Sequence, residues 1–232
     1  MHIPDGFLTS QINYSLTVVS LVVGGFALKK IKDLFFEKSQ VLASQLVTSI
    51  GQMGQSKLVS RWFLKKNASQ KIQQIVLVFC LVFTIQMIDF VKIGGIPGHL
   101  IGSFLAALVL GPWAGILIIS AVLAVQAIFL GDGGIMVLGV NIFNMALVGC
   151  LGGYYLYLIL KKLAKNNNLA IFFASWFSVL VMVLAYATEA KITGRTSGVD
   201  LLVMVHVLVG VIEGLVTVLA LKYLFSDKTY EK

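Results

Sequence analysis

The fold is decided by long apolar runs such as residues 201–224, which read LLVMVHVLVGVIEGLVTVLALKYL. This run exceeds the roughly 18 to 20 residues that span a bilayer as a helix. The chain has 232 residues, of which 58% are hydrophobic and only 12% are charged. Because most apolar residues fall into runs of this kind, the sequence predicts an all-α integral membrane protein with a single membrane domain over residues 1–232.

Six further apolar runs precede this one, and the third of them is short enough to be a re-entrant or fully buried helix. The distribution of basic residues favours a crossing, with the N-terminus outside and the C-terminus cytoplasmic. In that topology only Lys92, Lys191 and Arg195 of the 18 basic residues lie outside, whereas seven do if the third run does not cross. The sequence therefore predicts about seven transmembrane helices, the first six at about residues 12–28, 75–91, 97–110, 113–130, 135–160 and 169–188.

The formal net charge of +8 is explained by this topology, so a nucleic-acid partner is not indicated. Many of the basic residues fall in segment 33–74, which we interpret as a basic cytoplasmic loop with some amphipathic helical character on the anionic inner leaflet. A solvated connector is an equal alternative. Cys80 and Cys150 both lie inside apolar runs, where cysteine is usually a small buried hydrophobe.

The chain begins with the polar stretch MHIPDGFL, Met1–Leu8, which lacks the features of a removable signal peptide. A Met-His start offers three successive nitrogens: the terminal amine, the His2 amide and the His2 imidazole. They can close a five- and a six-membered chelate ring around one ion, and a planar nitrogen set favours Ni(II) or Cu(II). We interpret residues 1–11 as an external metal-binding loop; the alternative is a disordered terminus.

Two other loops share the external face in this topology: residues 94–99, GGIPGH, and residues 131–134, GDGG. Pro97 and Gly98 interrupt any continuous helix, which places His99 at the start of the next one. From there its imidazole can point back toward the N-terminal loop and complete a four-nitrogen set. The alternative is a capping or interfacial histidine.

Polar residues inside apolar runs cost free energy and are functional candidates. Asp132, Asn141 and Asn144 could line a polar pocket beneath the external loops and accept hydrogen bonds from ligating histidines. The alternative is hydrogen bonding between helices. His206 and Glu213, two helical turns apart, could instead form a proton path.

No catalytic motif that we recognise in the sequence indicates enzymatic activity. The sequence contains no GxxxxGK[ST] phosphate loop, no HExxH and no nucleophile elbow.

Four stretches resemble the CbiM/NikM family, the substrate-binding (S) components of energy-coupling factor transporters for cobalt and nickel. They cover the N-terminus and about residues 84–153, whereas the remaining spans match in hydrophobic pattern only. The stretches are residues 1–8, Gly98-His99-Leu100, Leu110-Gly111-Pro112-Trp113, and residues 131–134 followed by Leu138-Gly139-Val140-Asn141-Ile142-Phe143-Asn144-Met145.

The resemblance implies that Met1, through its amine, His2, through its amide and imidazole, and His99 hold the ion. It also implies a membrane coupling (T) subunit, cytoplasmic ATPases that tilt the S component, and a small accessory membrane protein. No cofactor is implied beyond the transported Ni(II) or Co(II), with nickel slightly favoured. Two features depart from the family pattern: Ile96-Pro97 stands where Thr-Ser is expected, and segment 33–74 is longer.

The expected function is high-affinity Ni(II) or Co(II) binding for ATP-driven import, in a multi-pass protein of a prokaryotic cell membrane. A stand-alone, proton-coupled divalent metal transporter using His206 and Glu213 is the first alternative. A membrane scaffold without a ligand is the second.

Overall fold

The computed structural model describes residues 2–42, 58–93 and 96–225. Within them, six helices are long and apolar enough to cross a membrane, which confirms the all-α membrane fold. The helices are α1 Ser10–Phe35, α2 Ala68–Gln86, α3 Ser103–Leu110, α4 Pro112–Val125, α5 Leu138–Asn141, α6 Gly149–Leu163, α7 Asn167–Ile192 and α8 Val199–Leu224. A π-helical segment, Gln126–Leu130, continues α4, and another, Ile142–Val148, joins α5 to α6.

The third predicted span, at about residues 97–110, contains α3, whose eight residues are all buried and too few to cross a bilayer alone. The chain enters α3 through the non-helical residues Leu100–Gly102, and Gly102 adopts φ 76°, a conformation that glycine accepts without steric cost. At the other end of α3, Leu110–Ala114 line one pocket with Lys30 and Ile31 of α1. Because Lys30 and Ile31 lie near the C-terminal end of α1, this end of α3 is beside the end of α1 that is opposite the N-terminal loop.

Two antiparallel hairpins occur where the sequence predicted none. Strand β1, Phe36–Leu42, pairs with β2, Leu58–Leu64, and β3, Asp89–Ile93, pairs with β4, Ile96–His99. The predicted helical character of segment 33–74 is therefore wrong for β1 and β2; its residues 43–57 lie outside the described ones. Strand β2 reads LVSRWFL, and its β-branched and aromatic residues are of the kinds enriched in strands.

Small residues allow close helix packing within the chain. Gly149 and Gly153, which have GxxxG spacing, face Ser103 and Phe104 of α3, and a Cβ on either glycine would overlap these side chains. Such close contacts provide dispersion energy that replaces the hydrophobic effect between helices in lipid. The pair therefore holds the buried α3 against α6.

The three loops that the topology grouped together lie at one end of the bundle. His2 contacts the loop after α4, because Nδ1 of His2 is 3.8 Å from Oδ1 of Asp132. The His2 and His99 rings also contact each other, with centroids 5.1 Å apart. The fold thus brings residues from three distant parts of the sequence to one place.

Candidate metal centre

The N-terminal loop is docked into the bundle by the side chain of Ile3, which is 1% exposed. Ile3 packs against Val137, the residue before α5, and against Val140 of α5. Asn141, one residue farther along that helix, accepts a hydrogen bond from the Ile3 N–H at 2.8 Å and donates one to the Ile3 carbonyl at 3.2 Å. These two bonds satisfy the buried N–H and carbonyl groups of Ile3 and fix the position of this residue, which follows His2.

Asp5 and Phe7 add to this docking, whereas Pro4 is exposed. The Asp5 carboxylate accepts hydrogen bonds from the backbone N–H groups of Met136 and Val137, which have no partner within the helix that follows. The Phe7 ring stacks on Tyr186, at 5.4 Å between centroids. The loop is therefore held by polar and apolar contacts on both sides of His2.

The His2 side chain is only 6% exposed. Burial lowers the pKa of its imidazole from 6.5 to about 3, so the ring is neutral at physiological pH. Its Nε2 atom has no hydrogen-bond partner among the described residues, whereas Nδ1, the nitrogen that a chelate with the His2 amide requires, lies beside Asp132. A neutral imidazole retains a lone pair, which is the form that binds transition metals.

His99 ends strand β4 and is buried. Its Nδ1 lies 3.0 Å from the Leu100 carbonyl oxygen, which can only accept, so Nδ1 carries the proton and Nε2 carries the lone pair. Burial holds the pKa of His99 well below its usual range. A metal-binding histidine commonly donates one ring N–H to a carbonyl in this way.

The side chains alone are too few for a metal site. Within residues 2–42, 58–93 and 96–225, no three His, Cys, Asp or Glu side chains form a cluster that could hold a metal ion. A centre at His2 and His99 therefore needs further donors, and the sequence offers the N-terminal amine and the His2 amide. Met1, which the sequence predicts as a ligand, lies outside the described residues.

The predicted pocket residues separate into two groups. Asp132 and Asn141 lie at the histidine pair, the first near His2 and the second on Ile3. Asn144 instead donates a 2.8 Å hydrogen bond to the carboxylate of Glu189 on α7. Glu189 was not predicted because it lies just beyond the apolar run 169–188; its position beside that run's end was the available signal.

A second polar contact supports the segment that follows His99. The Glu213 carboxylate of α8 accepts hydrogen bonds from the Ile101 N–H at 2.6 Å and the Gly102 N–H at 2.7 Å. Gln86 of α2 donates to the Ile101 carbonyl at 2.7 Å. His206, also on α8, places its Nδ1 2.8 Å from the Leu202 carbonyl. Glu213 and His206 thus have separate partners.

Comparisons with known proteins agree with this architecture. Residues 56–229 match the family model CbiM, described as the cobalt uptake substrate-specific transmembrane region. A solved structure entitled "Crystal Structure of an Truncated Transition metal Transporter" superposes with a TM-score of 0.76 at 25% identity, covering 97% of this chain and 99% of that one.

Two relatives extend the likeness. A protein of Archaeoglobus fulgidus, provisionally named fused nickel transport protein NikMN, is 30% identical over 98% of this chain and 66% of its own length. The cobalt transport protein CbiM of Acetohalobium arabaticum is 33% identical over 62% of this chain and 61% of its own. The chain thus spans somewhat under two thirds of the length of these two relatives. By its sequence and its helical architecture, the chain belongs to the CbiM family of cobalt and nickel transport components.

Proposed function

We propose that this protein is the substrate-binding component of an ATP-driven energy-coupling factor transporter and that it binds Ni(II) or Co(II) at the outer face of a prokaryotic cell membrane. The observation that carries the proposal is the contact between the His2 and His99 rings, 5.1 Å apart between centroids. The two histidines come from different loops, are buried, and are kept neutral by that burial. Two apposed, neutral imidazole rings from different loops are suited to binding one transition-metal ion.

The proposed ligand set contains four nitrogens: the Met1 amine, the His2 amide, Nδ1 of His2 and Nε2 of His99. The first three close the five- and six-membered rings that a chain starting with Met-His allows. The Leu100 carbonyl leaves the lone pair of His99 on Nε2, as the fourth position requires. Asp132 supplies a negative charge 3.8 Å from His2, which offsets part of the positive charge of the ion.

A planar four-nitrogen set selects among divalent ions by geometry. Ni(II) readily accepts square-planar nitrogen coordination, whereas Zn(II) prefers a tetrahedron. Cu(II) would bind at least as tightly, so its exclusion in a cell depends on its scarcity. We therefore place nickel slightly ahead of cobalt as cargo.

The partners of the proposed transporter are those that the resemblance to the CbiM/NikM family implies. Separate cytoplasmic ATPase subunits would hydrolyse ATP, since this sequence contains no phosphate-binding loop. A membrane coupling subunit would connect them to this chain, with a small accessory membrane protein as a further partner. The N-terminus and residues 131–134 would face outward, with the basic ends of the helices inside.

Titration of the purified protein with a free, untagged N-terminus tests the metal site. Isothermal titration calorimetry with Ni(II), Co(II), Cu(II) and Zn(II) should show tight 1:1 binding, and His2→Ala and His99→Ala should each strongly weaken Ni(II) binding without eliminating it. Cys80→Ala is the matched control, because Cys80 is an exposed thiol that could bind metals adventitiously. Unchanged Ni(II) affinity in both histidine variants would contradict the proposal.

Reconstitution tests the energy source. Proteoliposomes containing this chain alone should not accumulate Ni(II) under a proton gradient, whereas those that also contain the coupling and ATPase subunits should do so with internal ATP. Proton-driven uptake by the chain alone, lost in Glu213→Gln, would favour a secondary transporter. The separate hydrogen-bond partners of His206 and Glu213 argue against such a proton path.

A further inference from the structure

Glu213 lies near the middle of α8, where an ionisable side chain is costly in a membrane. Both of its carboxylate oxygens are used: Oε2 accepts from the Ile101 N–H and Oε1 from the Gly102 N–H. Two successive backbone amides thus bind one carboxylate in a bidentate manner. Two hydrogen bonds to one carboxyl group restrict its geometry more tightly than a single bond would.

The amides that Glu213 binds come two and three residues after His99. Leu100 lies between His99 and these amides; it is 1% exposed and packs against Val205 and Val209 on α8. These valines precede Glu213 by eight and four residues, so all three side chains project from one side of the helix. One face of α8 therefore holds the backbone on the C-terminal side of His99 by both polar and apolar contacts.

The orientation of the His99 ring is fixed by the same backbone segment, Leu100–Gly102. Its Nδ1 donates to the Leu100 carbonyl, so the direction of Nε2 depends on the orientation of the peptide unit between Leu100 and Ile101. The N–H of that same peptide unit is the one that Glu213 binds through Oε2. A shift of this single plane would move the acceptor of the His99 proton and turn the ring.

We infer that Glu213 is a positioning residue for the metal centre, which orients Nε2 of His99 by holding the Leu100–Ile101 peptide plane. The inference rests on the proposed role of His99 as a metal ligand. Glu213 does not contact the ion; it acts through the loop. Its carboxylate is required because an amide at this position would offer one acceptor to two backbone donors.

Glu213→Gln tests this inference in the purified, untagged protein. We expect Ni(II) affinity to fall by about 10- to 100-fold, as it does when residues behind a ligating histidine are changed. The Ni(II) absorption band should also shift to longer wavelength, toward that of His99→Ala, because a water oxygen replaces the misplaced imidazole. Thr217→Val is the matched control: it removes the 3.1 Å hydrogen bond between Ser175 and Thr217 one turn farther along α8. It should change neither affinity nor spectrum.

The double variant distinguishes positioning from general destabilisation. If Glu213 acts through His99, Glu213→Gln should reduce affinity no further in a His99→Ala background. Additive losses, or a Glu213→Gln protein with unaltered affinity and spectrum, would overturn the inference. If Glu213→Gln does not fold, Glu213→Asp keeps both acceptors on a shorter side chain, and its losses should be smaller but equally non-additive. Should His99→Ala itself bind Ni(II) normally, the proposed function fails instead.

Discussion

Gly133→Ala is expected to weaken Ni(II) binding by about 10- to 100-fold, while Gly131→Ala leaves it within about twofold. Both glycines belong to the loop after α4 and both have positive φ, 68° at Gly131 and 89° at Gly133. An alanine at either position costs about 1–2 kcal/mol of backbone strain. The two variants should therefore lose similar amounts of stability.

Only one of the two new methyl groups reaches the metal centre. A Cβ on Gly133 would lie 3.0 Å from Nδ1 of His2 and 3.3 Å from Nδ2 of Asn141, whereas a Cβ on Gly131 meets nothing within 4 Å. The His2 ring must then move by a few tenths of an ångström. Metal–ligand distances tolerate about 0.2 Å, so this displacement is enough to distort the chelate.

Calorimetric titration with Ni(II) and thermal unfolding of both variants provide the assay. Equal losses of stability together with a selective loss of Ni(II) affinity in Gly133→Ala would support a ligand role for Nδ1 of His2. If Gly133→Ala binds Ni(II) as tightly as Gly131→Ala, Nδ1 of His2 is not a ligand.

Three further predictions concern the N-terminal loop. Adding one glycine before Met1 should abolish high-affinity Ni(II) binding, since it moves the amine away from the His2 ring; normal binding in calorimetry would exclude the terminal chelate. Asn141→Leu leaves the buried Ile3 N–H without its acceptor, at a cost of about 1–3 kcal/mol. Residues 2–8 should then exchange amide hydrogens faster and bind Ni(II) more weakly, whereas Asn13→Ala, which removes an exposed bond to Met136, should not have these effects. The metal-free protein should lose stability as the pH falls from about 6.5 toward 3, because unfolded His2 takes up a proton that the buried ring refuses until about pH 3. His2→Gln should flatten that part of the profile in thermal unfolding, and an unchanged slope would show that His2 is not buried in its neutral form.

The grouping of the three loops could be predicted from the sequence because each signal was local. Apolar runs are read from hydropathy, basic residues orient them, and Pro97 and Gly98 mark a break in the chain. The short third run was correctly singled out as unusual. This run forms a short, buried helix preceded by non-helical residues. That structure depends on contacts with other helices and could not be predicted from the residues of the run alone.

The partners of the buried polar residues were beyond the reach of sequence reasoning. Glu213 was recognisable as costly and therefore functional, yet the amide that it binds lies 112 residues away. Asn144 was assigned to the metal pocket, but its position on the helix turns it toward Glu189 of α7. The hairpin of β3 and β4 was missed because strands this short carry little periodicity.

The non-helical residues before α3 also affect the insertion of the chain into the membrane during synthesis. Leu100–Gly102 carry backbone groups that no helix satisfies, and such groups are not tolerated in lipid unless protein covers them. Gln86, on the preceding helix, is available early in synthesis for the Ile101 carbonyl. The acceptor for the Ile101 and Gly102 N–H groups arrives only with α8, more than one hundred residues later. Insertion of the last described helix is therefore the step that completes the histidine loop, and a nascent chain lacking α8 would expose an unfinished metal centre to the bilayer.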